Sequence, residues 1–193
     1  MLKRLLSLLA AVLLVAPAAP ALADDYQDTI NVFKQAGESS TFFKSAYGYA
    51  VFPTIGKAGF VVGAAGGKGR VYVKGKHVGD STMAQASIGW LAGAEAYSQI
   101  IFFEDERAFR EFSKGNFEFG AEASVTAITA GASAKAATTG SSASASAGQH
   151  DAKTAGKYYK GMATFMVVKG GLMGDASVKG QKYSYTAVGA AKK

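Results

Sequence analysis

The run Gly48-Tyr49-Ala50-Val51-Phe52-Pro53, followed by Ile55, Lys57, Gly59, Phe60 and Gly63, constrains this chain more than any other segment. It sets two aromatics and a proline among closely spaced glycines. Aromatic and β-branched residues favour a half-buried pleated surface, and glycine and proline punctuate it. Short strands are therefore expected at 49–52, 58–64 and 70–74, with turns at Gly66-Gly67-Lys68-Gly69 and from Gly75 to Asp80.

The same language continues downstream. Ala84, Ala86, Ile88 and Trp90 alternate with Gln85, Ser87 and Gly89, so one of the two sets faces inward. Strands are also read at 98–103, 117–125, 161–169, 172–178 and 182–188. Two helices interrupt them. Ile30, Val32, Phe33 and Ala36 recur at helical spacing after an acidic start at Asp25, and Gly37 stops the helix. Glu104-Asp105-Glu106 opens a second helix in which Ala108, Phe109 and Phe112 share a face. The expected fold is α+β, predominantly antiparallel β, a sandwich or barrel-like sheet with two or three short helices. At 130–149 the side chains are too small to bury much area, so the stretch is either a mobile loop or a small-residue strand pair, the loop being the favoured reading.

The block from Gly48 to Gly63, together with Lys169-Gly170-Gly171-Leu172-Met173-Gly174, resembles the SYLF family, whose pattern is a GYAVFP-x-I-x-K-x-GF-x-x-G block and a later KGL-x-G block. The likeness spans about 26–190 and departs from the family pattern at about 123–150 and at the extra Gly171. It implies a lipid-binding module. Eukaryotic relatives are associated with phosphoinositides and actin, but the resemblance does not carry actin binding to an exported chain.

Export is read from the N-terminus. Lys3 and Arg4 precede an apolar run from Leu5 to Val15, and Ala21-Leu22-Ala23 precedes Asp24, which is the order of a secretory signal peptide over 1–23. One domain is expected over 24–193. Without Lys3 and Arg4, 19 of the 21 Lys and Arg remain against 14 Asp and Glu, a net charge of +5. The chain has no Cys, which excludes disulfide staples and thiolate chemistry, so stability rests on a packed core.

The cations are grouped. Lys68, Arg70, Lys74 and Lys76 form one cluster, in which Arg70, Tyr72, Lys74 and Lys76 are expected to share a strand face, with Lys57 of the family-like block beside them. Lys169, Lys179 and Lys182 belong to a second basic region. Such asymmetry points to an anionic partner surface. The expectation is a non-enzymatic protein of the cell envelope, periplasmic or secreted, that attaches peripherally to anionic phospholipids through these residues. The runner-up is a structural or adhesive envelope protein that binds an acidic polysaccharide or a protein partner.

Other chemistry is thinly supported. His77 and His150 lack a ligand-spaced second histidine, no Gly-x-Ser-x-Gly elbow occurs, and Gly63 to Gly69 lacks the glycine spacing and hydroxyl of a phosphate loop. No metal, cofactor or nucleic acid is expected, because the same cations in an exported protein meet phospholipid headgroups first. Tyr49, Phe52, Phe60 and Trp90 are expected in the core. Intact-mass measurement of the exported protein should give a first residue at or within a few residues of Asp24, and a retained Met1 would refute the leader.

Overall fold

The computed structural model describes residues 24–119, 125–127 and 157–190. The expected leader at 1–23 and the small-residue segment at 130–149 lie outside the described residues. Along the chain come α1 (Asp25–Gln35), α2 (Gly37–Ser40), α3 (Phe42–Ser45), β1 (Gly48–Val73), β2 (Lys76–Phe103), α4 (Glu106–Ser113), β3 (Phe117–Phe119), β4 (Val125–Ala127) and β5 (Met162–Ala187). They form a sheet in the order β1-β2-β5-β3, antiparallel throughout, with β4 added parallel to the start of β5. The sheet is not closed.

Three of these strands are far longer than expected. The segments read as separate strands between 49 and 74 are one strand of 26 residues, and β2 and β5 are 28 and 26 residues long. Each bends partway. In β1 the register against β2 shifts between Phe60 and Val62, and Val61 between them has φ 66°. Gly93 of β2 and Gly171 of β5 have φ 125° and 106°, and they pair with Met173 and Glu95, so the two bends are offset along the ladder. The bent sheet folds over itself into two facing layers, one from the Gly48 end of β1 and the Phe103 end of β2, the other from the hairpin that joins them.

Close approach between the arms of β1 explains the glycines that the sequence presents as a turn. A Cβ on Gly69 would lie 2.5 Å from the Phe52 ring, and one on Gly59 would overlap the Cα of Gly63. Gly67 and Gly69 therefore make room for the facing arm within a strand, and the turn expected at Gly66 to Gly69 is absent. The reversal of direction falls at Lys74-Gly75, where φ of 50° and 77° matches the right-handed twist of the hairpin.

Two apolar clusters hold the fold. Between the layers, Ala50, Phe52, Ile55, Val71, Met83, Ile101, Phe103 and Tyr183 pack with Ala108 and Phe112 of α4, which covers one end. Asp105 caps α4 by accepting from the Ala108 N–H at 2.8 Å, as the acidic helix start requires. On the outer face of the first layer, Ile30 and Phe33 of α1 and Phe42 of α3 cover Val51, Ile100, Phe102 and Phe165.

Of the expected core aromatics, Phe52 is fully buried and Tyr49 partly so, stacked on Tyr72 at 5.3 Å. Phe60 is a correction: it is 79% exposed, because it sits at the bend where β1 has no facing arm. The Trp90 side chain lies outside the described residues. Chemical denaturation should show Phe52→Ala costing about 3–5 kcal/mol, whereas Phe60→Ala should stay within about 0.5 kcal/mol of the parent, as exposed positions do.

Candidate functional site

The β1–β2 hairpin carries the first basic cluster. Alternation places Lys68, Arg70 and Tyr72 on the outward side of β1, opposite the buried Gly69 and Val71, and Lys74 stands in the turn that follows the strand. Lys76 departs from the expected alignment. The Lys74-Gly75 turn reverses the chain, and Lys76 pairs with Val73 while Tyr72 pairs with His77, so the register puts Lys76 on the other side.

The members of this cluster differ in what they touch. Arg70 lies 3.4 Å from the Asp24 carboxylate and stacks 4.2 Å over the Tyr26 ring, which ties it to the start of α1. His77 Nε2 stands 3.1 Å from the Asp80 carboxylate. Lys68, Lys74 and Lys76 are exposed, and no ion pair among the described residues reaches them.

Lys57 requires correction as a surface cation. Its inward register position buries it, and its ammonium lies 3.5 Å from the equally buried Glu95 carboxylate, with side-chain exposures of 4% and 6%. Lys57 pairs with Glu95 across β1 and β2, which aligns the two side chains on one face. Desolvation offsets much of the attraction in such a pair, but an unpartnered member would be costly.

The second basic region is dispersed. Lys169 donates to the Pro53 carbonyl at 3.3 Å and to Thr54 Oγ1 at 3.1 Å, bracing the irregularity of β1 between Phe52 and Ile55. Lys182 lies 3.0 Å from Glu118 of β3, an exposed pair on the opposite layer. The Lys179 side chain lies outside the described residues.

Beside the Lys57–Glu95 pair runs a chain of buried and half-buried polar groups. Gln99 Nε2 donates to the Tyr183 hydroxyl at 2.7 Å, which donates to Gln181 Oε1 at 2.8 Å. Gln181 Nε2 donates to Gln85 Oε1 at 2.9 Å, and Gln85 Nε2 to Ser87 Oγ at 3.2 Å. Complete burial pushes the Tyr183 phenol well above its ordinary value, against the opposing effect of the Gln99 hydrogen bond, so it remains a donor at any ordinary pH. The sequence analysis did not find this chain. Its signal was the spacing of Met83, Gln85 and Ser87, which puts two polar residues on the same face as a core methionine.

The described residues contain no group of three or more His, Cys, Asp or Glu placed to hold a metal ion. No helix among them is long and apolar enough to cross a membrane.

A model of the family described as Ysc84, Las17-binding protein actin regulator, matches residues 84–187. The chain is also similar to Beta cell expansion factor A of Aeromonas veronii, with 30% identity over 163 residues that make up 80% of this chain and 51% of the other. The chain thus spans about half the length of this curated relative. No solved structure matches the chain.

The Lys57–Glu95 pair can be tested apart from any binding role. Lys57→Ala, which strands the buried carboxylate, should lower unfolding free energy by about 3–5 kcal/mol, whereas the apolar pair Lys57→Met with Glu95→Leu should recover most of the loss. Equal stability of Lys57→Ala and the parent in urea titration would show that the pair is not buried in solution.

Proposed function

We propose, from the premise that the chain belongs to the Ysc84 (SYLF) family, that it is a non-enzymatic phospholipid-binding protein that attaches peripherally to anionic membrane surfaces of the cell envelope. The observation that carries this reading is the group of exposed cations Lys68, Lys74 and Lys76 at one hairpin, with no carboxylate partner among the described residues. A lysine already neutralised by a protein carboxylate gains little from a headgroup. An exposed one without such a partner contributes about 1 kcal/mol near an anionic bilayer.

Three such residues supply a recruiting field of a few kcal/mol at low salt, and Arg70 adds a charge held in place by Asp24 and Tyr26. The reading does not require catalysis. Tyr183, Gln181 and Gln85 are engaged with one another and with Gln99 Nε2, only Gln99 Oε1 of that chain being left without a hydrogen bond among the described residues, and among them no cluster has the composition of a metal centre. Export, and with it a periplasmic or secreted location, rests on the order of residues in 1–23. An actin-regulating role, which belongs to the description of the family model, is not part of the proposal.

Lys68→Glu, Lys74→Glu and Lys76→Glu combined should weaken co-sedimentation with phosphatidylglycerol-containing vesicles at least about tenfold while leaving the circular dichroism melt unchanged. Most of the salt sensitivity between about 0.05 and 0.5 M should disappear with it. A folded triple variant that binds as the parent does would remove this hairpin from the site.

A further inference from the structure

Near the bend, the inward and outward faces of the sheet exchange their usual polarity. Lys57, Gln85, Ser87 and Glu95 are buried between the layers. On the outside, Phe60, Val61, Val62 and Ile88 are 79%, 52%, 63% and 68% exposed, and Ala64, Ala84 and Ala86 beside them are exposed too. A sheet with one face in water alternates the other way, apolar inward and polar outward. Apolar outward with polar inward is the arrangement of sheets whose outer face meets lipid.

The inversion is confined to one end of the sheet. Toward the Lys74-Gly75 turn, Val71, Met83 and Tyr183 are buried, and Lys68, Thr82 and Ser184 are exposed, as in a water-soluble sheet. In β1 and β2 the outward ionic groups follow the same division, since residues 60–68 and 82–88 contain only Lys68 as a charged side chain, while β5 places Lys179 opposite the buried Ser87 and Asp175 opposite Leu91.

Register sets the depth of the border. Ile88 pairs with Val62, whereas Ala84, four residues along β2, pairs with Lys182, and Thr82, six along, pairs with Lys68. At about 3.3 Å per residue the lysine rows lie about 13 Å and 20 Å from the Ile88 row. Half of the hydrocarbon core of a bilayer is about 15 Å. The lysines, with flexible stems, therefore fall at headgroup depth when the bend fills one leaflet.

The apolar end is also a built corner. Val61 is a β-branched residue at φ 66°, a conformation such residues rarely adopt, and the contact of Gly59 with Gly63 holds the strand there. Between Phe60 and Val62, a solvated bend would favour a glycine or asparagine at this position.

We infer that the bend end of the sheet, formed by Phe60, Val61, Val62 and Ile88, inserts into the hydrocarbon of one leaflet of an anionic bilayer, with Lys68 and Lys182 at the headgroups. The inference rests on the membrane-binding reading above and adds the side of the molecule that enters the lipid: Lys68 meets the headgroups, while Lys74 and Lys76, roughly 16–20 Å farther from the bend along the hairpin, steer the approach to the anionic surface. Lys182, already paired with Glu118, adds less to the headgroup attraction than Lys68, which has no such partner among the described residues.

The absence of cysteine allows single probes to be placed cleanly. An environment-sensitive fluorophore on Ile88→Cys should shift to the blue on addition of vesicles of phosphatidylcholine and phosphatidylglycerol, and spin labels within the acyl chains should quench it. The same probe on Thr82→Cys should remain in a polar setting. In parallel, Phe60→Ser, Val62→Ser and Ile88→Ser combined should lose about tenfold of the binding that survives at high salt, where the apolar contribution remains, and keep most of the low-salt binding. Failure of the parent to bind vesicles at any salt would overturn the membrane reading itself. Vesicle binding with the Ile88→Cys probe still in water, and with the serine variant equal to the parent at high salt, would overturn insertion alone. A blue-shifted probe in the absence of vesicles, accompanied by dimers in sedimentation, would assign the corner to self-association and also overturn the inference.

Discussion

Everything in this molecule depends on how closely β1 can approach itself. Its two arms face each other because glycine stands where the opposite arm presents a ring or a backbone: Gly69 lies under Phe52, and Gly59 against Gly63. A single methyl group at either place would force the layers apart. The cluster around Phe52, Ile55, Met83 and Tyr183 would then lose contacts, since the energy of a close-packed interior falls steeply with small gaps. The glycines have no partners of their own to bind. Their contribution is the space that lets large side chains of the facing arm meet.

The space so closed is not uniformly apolar. Near α4 it is aromatic, with Phe112 at 5.5 Å from Tyr183 and Phe52 at 5.6 Å from it. Farther along it becomes the hydrogen-bonded chain through Gln99, Gln181 and Gln85, and then the Lys57–Glu95 pair. Polar groups in such a setting stabilise only when each finds a partner in one arrangement, so they select a register more than they add stability. A two-residue slip of β1 against β2 would preserve the inward and outward faces but separate Lys57 from Glu95.

Parts of this were legible in the sequence because they are local. The acidic starts of the two longer helices, the aromatic strand language and the antiparallel character all follow from residues a few positions apart, and the structure adds that Asp24 and Asp105 are the residues that cap the helices. The SYLF motif was legible as well, and the family assignment agrees with it. The errors share one origin. Gly66 to Gly69 as a turn, Phe60 as core and Lys57 as a surface cation were each read from neighbours along the chain, whereas their settings are fixed by the other arm of a strand folded over at Val61. Nothing within a few residues of Lys57 reveals that Glu95 lies across from it. Of the proposed site, the lysines of the hairpin could be seen as a group, but the inverted polarity near Ile88 depends on which of two alternating sets faces inward.

The order in which the strands are made carries its own consequence. β1 and β2 are joined by the two-residue turn at Lys74-Gly75 and can zip as one hairpin, but the partner of the other edge of β2 is β5, which begins at Met162. During synthesis, the 28 residues of β2 therefore have an open edge until the C-terminal strand arrives, and closing that long intervening loop is entropically slower than zipping the hairpin. An unpaired edge of this length is a template for another chain. The interval between the two strands thus makes the nascent protein dependent on whatever shields that edge, a demand on its handling in the cell that disappears once β5 is in place.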